Sequence, residues 1–178
     1  VLVLVPFLGE TIFYSKGEPR EAIVAYTMLE SGNWILPMNY GVEIAYKPPF
    51  LYWTIAVISS VLGGVTEFSA RMPSALAFLA MQLVFFSFVA KRKDVKTAFL
   101  TSILLLSSFE VHRAAVACRL DMLQVSLIVI SLCLLFRWDE KNCKGGPWLA
   151  VLLMACATLT KGPVGSIFPC LCIGIYQL

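Results

Sequence analysis

Two basic side chains in the first third of the chain have the chemistry that a phosphate group requires. Arg20 lies in a cluster of charged residues at 17–21, and Lys47 precedes two prolines that hold the backbone extended. An arginine can donate to two phosphate oxygens at once, and a lysine adds a compact positive charge. Anchoring to lipid headgroups would explain the same residues. We favour a phosphate site, because a mere anchor does not need a fixed backbone.

Two carboxylates are candidates for acid–base or electrostatic chemistry, and each also has a structural interpretation. Glu18 and Asp121 each begin a predicted helix, so either could simply stabilise a helix N-terminus. Arg119 could pair with Asp121. Lys161 ends an apolar segment, where lysines usually extend towards the lipid headgroups. The residue types alone leave these alternatives open.

The sequence predicts no metal site, no cofactor and no nucleic-acid partner. His112 is the single histidine, and no second ligand lies at zinc spacing from it. The six cysteines mostly lie in apolar segments without Cys-x-x-Cys spacing, so we interpret them as packing residues. The sequence has no glycine-rich nucleotide motif, no serine-hydrolase motif and no basic run.

The elements that position these residues belong to an all-α integral membrane protein. The chain is 59% hydrophobic and 14% charged, whereas soluble domains average about 25% charged residues. Residues 1–8 are predicted to end a first span, and we expect the chain to be the front part of a larger protein. Residues 9–67 are too polar and too broken to cross a bilayer. They should contain helices near 19–31 and 50–62, with a loop or irregular strand at 33–45.

Apolar segments that follow this first loop should cross the membrane. Arg71 is expected to extend towards the headgroups at the start of the first segment, and 110–119 is predicted to be a polar turn. The helix at 50–62 is too short to span and fits a position along the membrane surface. The predicted spans lie near residues 73–90, 97–109, 122–136, 147–159 and 164–178.

Loop charges predict the orientation in the membrane. Loops 91–96 and 137–146 together carry seven Lys or Arg and three acids. The segments on the opposite side, 9–71, 110–121 and 161, carry seven Lys or Arg and eight acids. The basic loops should therefore face the cytoplasm. The unusual charges would then share the opposite, periplasmic face, to which separate segments contribute Glu18, Arg20, Lys47, Arg113, Arg119, Asp121 and Lys161.

Several motifs, taken in chain order, carry a family resemblance. They include Glu-Pro-Arg-Glu-Ala (18–22), Tyr-Lys-Pro-Pro-Phe-Leu-Tyr-Trp (46–53), Cys-Arg-Leu-Asp-Met (118–122) and Leu-Thr-Lys-Gly-Pro (159–163). The chain resembles the N-terminal part of the aminoarabinose transferase and protein O-mannosyltransferase superfamily of GT-C glycosyltransferases, and it is most similar to the bacterial lipid A aminoarabinose transferase branch.

The resemblance implies a multi-pass enzyme of the bacterial inner membrane, with juxtamembrane helices in its first loop and its active face in the periplasm. It implies a polyprenyl-phosphate-linked sugar donor, carrying 4-amino-4-deoxy-L-arabinose or another pentose or hexose. The acceptor would be a periplasmic lipid or glycan such as lipid A. Arg20 and Lys47 match family positions that contact the donor phosphate. Asp121 matches an acidic position near the active cavity, and Lys161 matches a cavity-lining lysine.

One departure from the family pattern affects the expected catalytic residue. The family usually has an Asp-Glu pair in the first loop, where this chain has Gly17 and Glu18. The catalytic carboxylate is then Glu18 or Asp121, unless the acceptor is an anion such as a phosphate, which needs no general base. Tyr46 stands at a metal position of some relatives, where it cannot supply a carboxylate. We place it in the substrate cavity with Arg119 and Lys161.

Two other functions would use the same charges. A transporter or flippase could pass an anionic lipid or a lipid-linked sugar through the cationic cleft without chemistry, and a non-catalytic scaffold could use the charges as structural ion pairs. Transporters tend to show inverted repeats and charges at the membrane midplane. The sequence shows no repeat, and its charges cluster at one predicted interface. An enzyme is therefore the favoured interpretation.

Overall fold

A computed structural model describes residues 5–15 and 17–178, which are mainly helical. The predicted span end at 1–8 lies partly outside these residues, and Val5–Gly9 forms a 3₁₀ helix. A two-stranded antiparallel hairpin, β1 (Met38–Asn39) and β2 (Glu43–Ile44), lies within the expected loop at 33–45. The described α-helices are α1 (Gly17–Ser31), α2 (Phe50–Leu62), α3 (Glu67–Arg92), α4 (Val95–Ser107), α5 (Phe109–Ala115), α6 (Leu120–Asp139), α7 (Trp148–Lys161) and α8 (Val164–Gln177).

Helices α1 and α2 pack against each other ahead of the long helices. Val24 and Met28 of α1 are buried against Tyr52 and Ala56 of α2. Helix α2 starts directly after a proline pair, which suits a helix N-terminus because proline lacks the N–H that would be unpaired there. It ends at Gly63, whose φ of 87° is the left-handed conformation that glycine adopts without strain.

The long helix α3 begins six residues before the span predicted at 73–90. Its N-terminus is a capping box, in which the Thr66 and Ser69 side chains each accept from the other residue's backbone N–H. Pro73 therefore lies inside the helix rather than at its start. The 26 residues of α3 extend about 39 Å, at about 1.5 Å per residue.

Two of the described helices, α3 and α6, are long and apolar enough to cross a membrane. The other predicted spans correspond to α4, α7 and α8, which have 13, 14 and 14 residues. Each measures about 20 Å and is shorter than the roughly 30 Å hydrocarbon layer. The expected polar turn at 110–119 is wrong in part, because α5 occupies its first half. An ion pair between Glu110 and Arg113, three residues apart, stabilises this helix.

Helix α6 lies at the centre of the bundle between α3 and α7. Leu123 and Leu127 of α6 share one core cluster with Ala70 of α3 and Ala157 of α7. Helix α8 turns back along α7 so closely that a Cβ on Gly165 would lie 2.5 Å from the Ala157 carbonyl carbon. This packing brings the start of α6 and the end of α7 together.

The two ends of the bundle carry different charged groups. At one end, Arg92 of α3 contacts Glu140, just after α6, at 2.7 Å. At the other end, Asp121 at the start of α6 pairs with Lys161 at the end of α7. The bundle therefore separates the basic loops at 91–96 and 137–146 from the residues that were expected to share the opposite face.

Candidate functional site

Most of the charged residues singled out in the sequence line one cavity of about 220 Å³. We call it the cationic cavity. Its walls come from the first turns of α1, the extended segment before α2, the start of α6 and the end of α7. The lining residues are Gly17, Arg20, Glu21, Lys47, Cys118, Arg119, Leu120, Asp121 and Lys161.

Lys47 reaches the cavity from a segment with little freedom. Pro48 and Pro49 restrict the backbone after it, and the Ala45 N–H donates to the Pro37 carbonyl oxygen at 2.9 Å. The lysine is half-buried. A rigid, partly desolvated ammonium group is a stronger anion ligand than a mobile surface lysine, because less side-chain entropy is lost on binding.

The charges of the cavity are only partly paired with each other. Lys161 Nζ donates to Asp121 Oδ1, and Arg20 Nη2 donates to Glu21 Oε1 at 3.2 Å. Arg119 does not pair with Asp121, which was the sequence-based alternative. Within the described part of the chain, neither Lys47 nor Arg119 has an acidic partner. The cavity therefore has cationic groups available for an anion.

Glu18 lies outside the cationic cavity and is fully engaged in the protein interior. Its side chain is 2% exposed. Oε1 accepts from Arg71 Nε at 3.1 Å and from the Cys118 N–H at 3.0 Å, and Oε2 accepts from the Tyr14 N–H at 3.0 Å. Burial by itself would raise the pKa of Glu18, but the hydrogen bonds from Cys118, Arg71 and Tyr14 hold it below its usual value.

Arg71 is the partner of Glu18, and the expectation that it extends towards headgroups is wrong. Its side chain is 2% exposed, and Nη1 donates to the carbonyl oxygens of Leu8 and Thr11, each at 2.7 Å. Nη2 donates to the Ile12 carbonyl at 3.1 Å. The side chain leaves α3 towards the segment before α1, where these carbonyls satisfy the guanidinium. Glu18 and Arg71 thus join α1, α3 and the segments at 8–14 and 116–119.

Two other recesses adjoin the cationic cavity. A cavity of about 600 Å³, mainly apolar, is bordered by Glu18, Arg71 and Arg119. Tyr46, which was expected in the substrate cavity, is 79% exposed. It lines a small neighbouring recess that also contains Lys47.

Glu21 is a cavity residue that the sequence reasoning missed. It is 3% exposed, and its Oε2 has no hydrogen-bond partner among the residues that the structure describes. Burial and the neighbouring Glu21 carboxylate both raise the pKa of the Tyr52 phenol. The charge cluster at 17–21 was the available signal, but the sequence does not say which of its two glutamates faces inward and which lines a cavity.

The described residues contain no group of three or more His, Cys, Asp or Glu side chains that could hold a metal ion. Cys118 is buried, and the Cys118 N–H is the group that binds Glu18. The side chains that line the cationic cavity supply ammonium, guanidinium and carboxylate groups.

Comparison with known proteins identifies similar sequences and similar structures. Residues 46–177 match the model of the family described as dolichyl-phosphate-mannose-protein mannosyltransferase. The chain is 34% identical to an undecaprenyl phosphate-alpha-4-amino-4-deoxy-L-arabinose arabinosyl transferase of Shewanella sediminis, over 95% of the chain and 31% of the relative. It is 32% identical to an uncharacterized protein of Aquifex aeolicus, over 92% of the chain and 37% of the relative.

Two crystal structures of ArnT from Cupriavidus metallidurans have the same fold over 99% of the chain. One is the apo state and the other is bound to undecaprenyl phosphate; both give a TM-score of 0.82 at 24% identity. The chain covers 34% and 33% of these two proteins. It thus spans about a third of the length of the curated relatives and solved structures that it matches. The multi-span GT-C-type helical fold expected from the sequence is confirmed.

Proposed function

Since the chain belongs to the dolichyl-phosphate-mannose-protein mannosyltransferase family, we propose that the protein is a membrane glycosyltransferase with a polyprenyl-phosphate-linked sugar donor. The observation that carries the proposal is the cationic cavity. Lys47 and Arg119 line it without an acidic partner among the described residues. A phosphate would supply the negative charge that balances these two cations.

Arg20 and Lys47 bind the donor phosphate in this proposal. The guanidinium of Arg20 gives one hydrogen bond to Glu21 and has further N–H donors for phosphate oxygens. Lys47 adds an ammonium group on a rigid segment. As the bond between the sugar and the phosphate breaks, negative charge develops on the leaving phosphate. Cations that are already in place stabilise this charge without reorganising.

Asp121 is our choice for the carboxylate that acts on the acceptor. It lines the cationic cavity and is about half exposed, whereas both oxygens of Glu18 are already occupied in the interior. The acceptor oxygen attacks the anomeric carbon, the carbon–oxygen bond to the phosphate breaks, and its electron pair leaves with the polyprenyl phosphate. A hydroxyl acceptor gives its proton to Asp121, and an anionic phosphate acceptor has none to give. Lys161 orients Asp121 through their ion pair.

We assign to Glu18 a positioning role rather than direct contact with the substrate. Its three hydrogen bonds fix the first turn of α1, and Arg20 follows two residues later. Tyr46 and Arg119 line the approaches to the cavity from two sides. Arg119 borders both the cationic cavity and the larger apolar one, a position suited to an anionic group with a lipid tail.

The sugar in this proposal is 4-amino-4-deoxy-L-arabinose, and the acceptor is lipid A. The sugar follows from the names of the relatives in Shewanella sediminis and Proteus mirabilis. The charge difference between the loops supports a position of the cavity at the periplasmic face of the bacterial inner membrane. Apolar residues on the exposed side of α2, including Val57 and Val61, would rest against the bilayer.

The test is transfer by the full-length protein in phospholipid vesicles. The donor is undecaprenyl phosphate carrying the labelled aminosugar, and the acceptor is lipid A. Wild-type protein should move the label to lipid A, and Lys47→Ala should reduce donor binding about 10- to 100-fold, as expected for the loss of a charged hydrogen-bonding partner. Lys93→Ala is the matched control, since Lys93 is exposed in the basic loop 91–96 at the other end of the bundle.

The alternative functions give different outcomes in the same vesicles. A flippase would move the labelled donor between leaflets without transferring the sugar, and a scaffold would do neither. Either result with well-folded wild-type protein refutes the proposed enzyme. Asp121→Asn should lower the transfer rate and should not weaken the binding of undecaprenyl phosphate, because the change removes a negative charge from the cavity.

A further inference from the structure

Glu21 is a buried carboxylate in a cavity whose proposed ligand is an anion. The residue is 3% exposed and lines the cationic cavity with Lys47 and Lys161. Its Oε1 accepts from Arg20 Nη2 at 3.2 Å, and its Oε2 has no hydrogen-bond partner among the described residues. Buried polar atoms in folded proteins nearly always have a partner. Several buried side-chain atoms of the described residues lack a partner, and Glu21 Oε2 is the one whose residue lines the cationic cavity, where a ligand can supply the missing donor.

The charge of Glu21 decides which part of a ligand it can contact. A phosphate would be repelled by the carboxylate and attracted by Arg20, Lys47 and Arg119, which are in the same cavity. A neutral apolar group would leave the carboxylate oxygen without a partner, as it is now. A hydroxyl or ammonium group can donate to it. In a sugar phosphate, such donors lie on the ring carbons, several bonds away from the phosphorus atom.

We infer that Glu21 recognises the donor sugar, with its free carboxylate oxygen accepting a hydrogen bond from a hydroxyl or ammonium group on the ring. This inference rests on the proposed function. The terminal torsion of a glutamate is soft, so a modest rotation can turn the carboxylate towards the cavity, and the long Arg20 side chain can follow it. Arg20 then binds the phosphate of the same donor molecule. The adjacent residues Arg20 and Glu21 thus contact the phosphate and the sugar, the two groups that the breaking bond joins.

The competing explanation is a structural role, in which Glu21 only holds the neighbouring Tyr52 side chain in place. The Tyr52 side chain is 2% exposed and packs beside α1, and its hydroxyl lies near the Glu21 carboxylate without meeting hydrogen-bond geometry. A small approach of this hydroxyl would give Oε2 a donor within the protein. If Glu21 served only to hold Tyr52 in place, removal of either group would lower the stability of the protein and leave its discrimination between ligands unchanged. A sugar-binding role affects discrimination instead.

The experiment compares two probes on the full-length protein in detergent or nanodiscs. The probes are undecaprenyl phosphate alone and undecaprenyl phosphate carrying an aminosugar. Glu21→Gln should weaken binding of the sugar-bearing probe about 10- to 100-fold, since it loses a charged hydrogen bond. Binding of undecaprenyl phosphate alone should be unchanged or tighter, because a negative charge beside the phosphate site has been removed. Tyr52→Phe should leave the affinities for both probes unchanged.

A third probe, with a neutral sugar on the same lipid, distinguishes the two donor groups. If an ammonium group is the contact, Glu21→Gln weakens the binding of the aminosugar probe far more than that of the neutral-sugar probe. If a hydroxyl group is the contact, the variant weakens the binding of both. Equal affinity changes for undecaprenyl phosphate with and without sugar overturn the inference. Glu21→Asp keeps the charge and should retain part of the discrimination, which provides a second reading if Glu21→Gln is poorly folded.

The failure of this inference is distinguishable from the failure of the proposed function. If wild-type protein binds no sugar-bearing lipid and transfers no sugar, the proposed function fails. If wild-type protein transfers the sugar and Glu21→Gln keeps both the transfer rate and the discrimination between probes, only the role of Glu21 fails.

Discussion

Arg71→Ala should destabilise the protein strongly, because it removes the only charged partner that Glu18 has among the described residues. Arg71 donates five hydrogen bonds, to Glu18 Oε1, to Thr11 Oγ1 and to the carbonyl oxygens of Leu8, Thr11 and Ile12. Both side chains of the ion pair are 2% exposed. Removal of one partner from a buried ion pair typically costs about 3–5 kcal/mol, since the other charge stays buried.

Glu18→Gln should cost less than Arg71→Ala. The amide oxygen can still accept from Arg71 and from the Cys118 N–H, but the amide nitrogen then faces the Tyr14 N–H, which is another donor. We expect a loss of about 2–3 kcal/mol from the charged hydrogen bonds. The double variant should be less destabilised than the sum of the two single variants, by at least about 1 kcal/mol, because the two residues contact each other.

The assay is unfolding of the full-length protein, followed by labelling of a thiol. Cys118 is fully buried next to Glu18, so in a variant that keeps Cys118 as the single cysteine its labelling reports the opening of this region. Arg113→Ala is the control, because its pair with Glu110 is exposed and should contribute little to stability. A loss below about 1 kcal/mol for Arg71→Ala, or strict additivity in the double variant, would refute this reasoning.

Three further outcomes are expected from the same structure. The pKa of Glu18 is lowered on folding, so its contribution to stability is present above about pH 4 and is lost as the pH falls through the folded-state pKa. The free energy of unfolding, measured at decreasing pH, should show this dependence in wild type and not in Glu18→Gln. Gly165→Ala should destabilise by about 1–3 kcal/mol in thermal unfolding, because its Cβ would meet the α7 backbone at 2.5 Å, whereas Gly174→Ala on the same helix has open space and should not. Lys161→Ala should slow sugar transfer while changing the unfolding free energy by less than about 1 kcal/mol, since its pair with Asp121 is largely exposed; a large stability loss would contradict this.

Local sequence signals predicted the juxtamembrane helices well. The range 50–62 agrees with α2 at both ends, because a proline pair precedes it and two glycines follow it. The start of α3 was missed for a local reason as well. Its capping box uses Thr66 with Ser69, in place of the usual Glu or Gln at the third helical position, and Pro73 looked like a helix start. A search for any reciprocal polar pair before an apolar run would have found it.

Tertiary contacts explain what the sequence could not show. Arg71 and Glu18 are 53 residues apart, and no local pattern distinguishes a buried arginine from one that reaches the membrane surface. The grouping of Arg20, Lys47, Asp121 and Lys161 was predictable, because loop charges and helix count place them on one side. Whether they meet in one cavity depends on how α6 and α7 pack. That packing follows from small residues such as Ala157, whose role is visible only in three dimensions.

The first turns of α1 have two proposed roles on different sides, and this affects how mutations there should be interpreted. Glu18 faces the interior, and Arg20 and Glu21 line the cationic cavity within one helical turn. Loss of Glu18 would therefore displace Arg20 and slow transfer, as loss of a catalytic carboxylate does. The pH dependence separates the two explanations. A positioning residue changes the height of the rate profile and leaves its acid limb in place. With a hydroxyl acceptor, replacement of Asp121, the group that takes the acceptor proton in our proposal, removes that limb. If the Glu18→Gln variant loses the acid limb, Glu18 itself takes the acceptor proton and the positioning role is refuted.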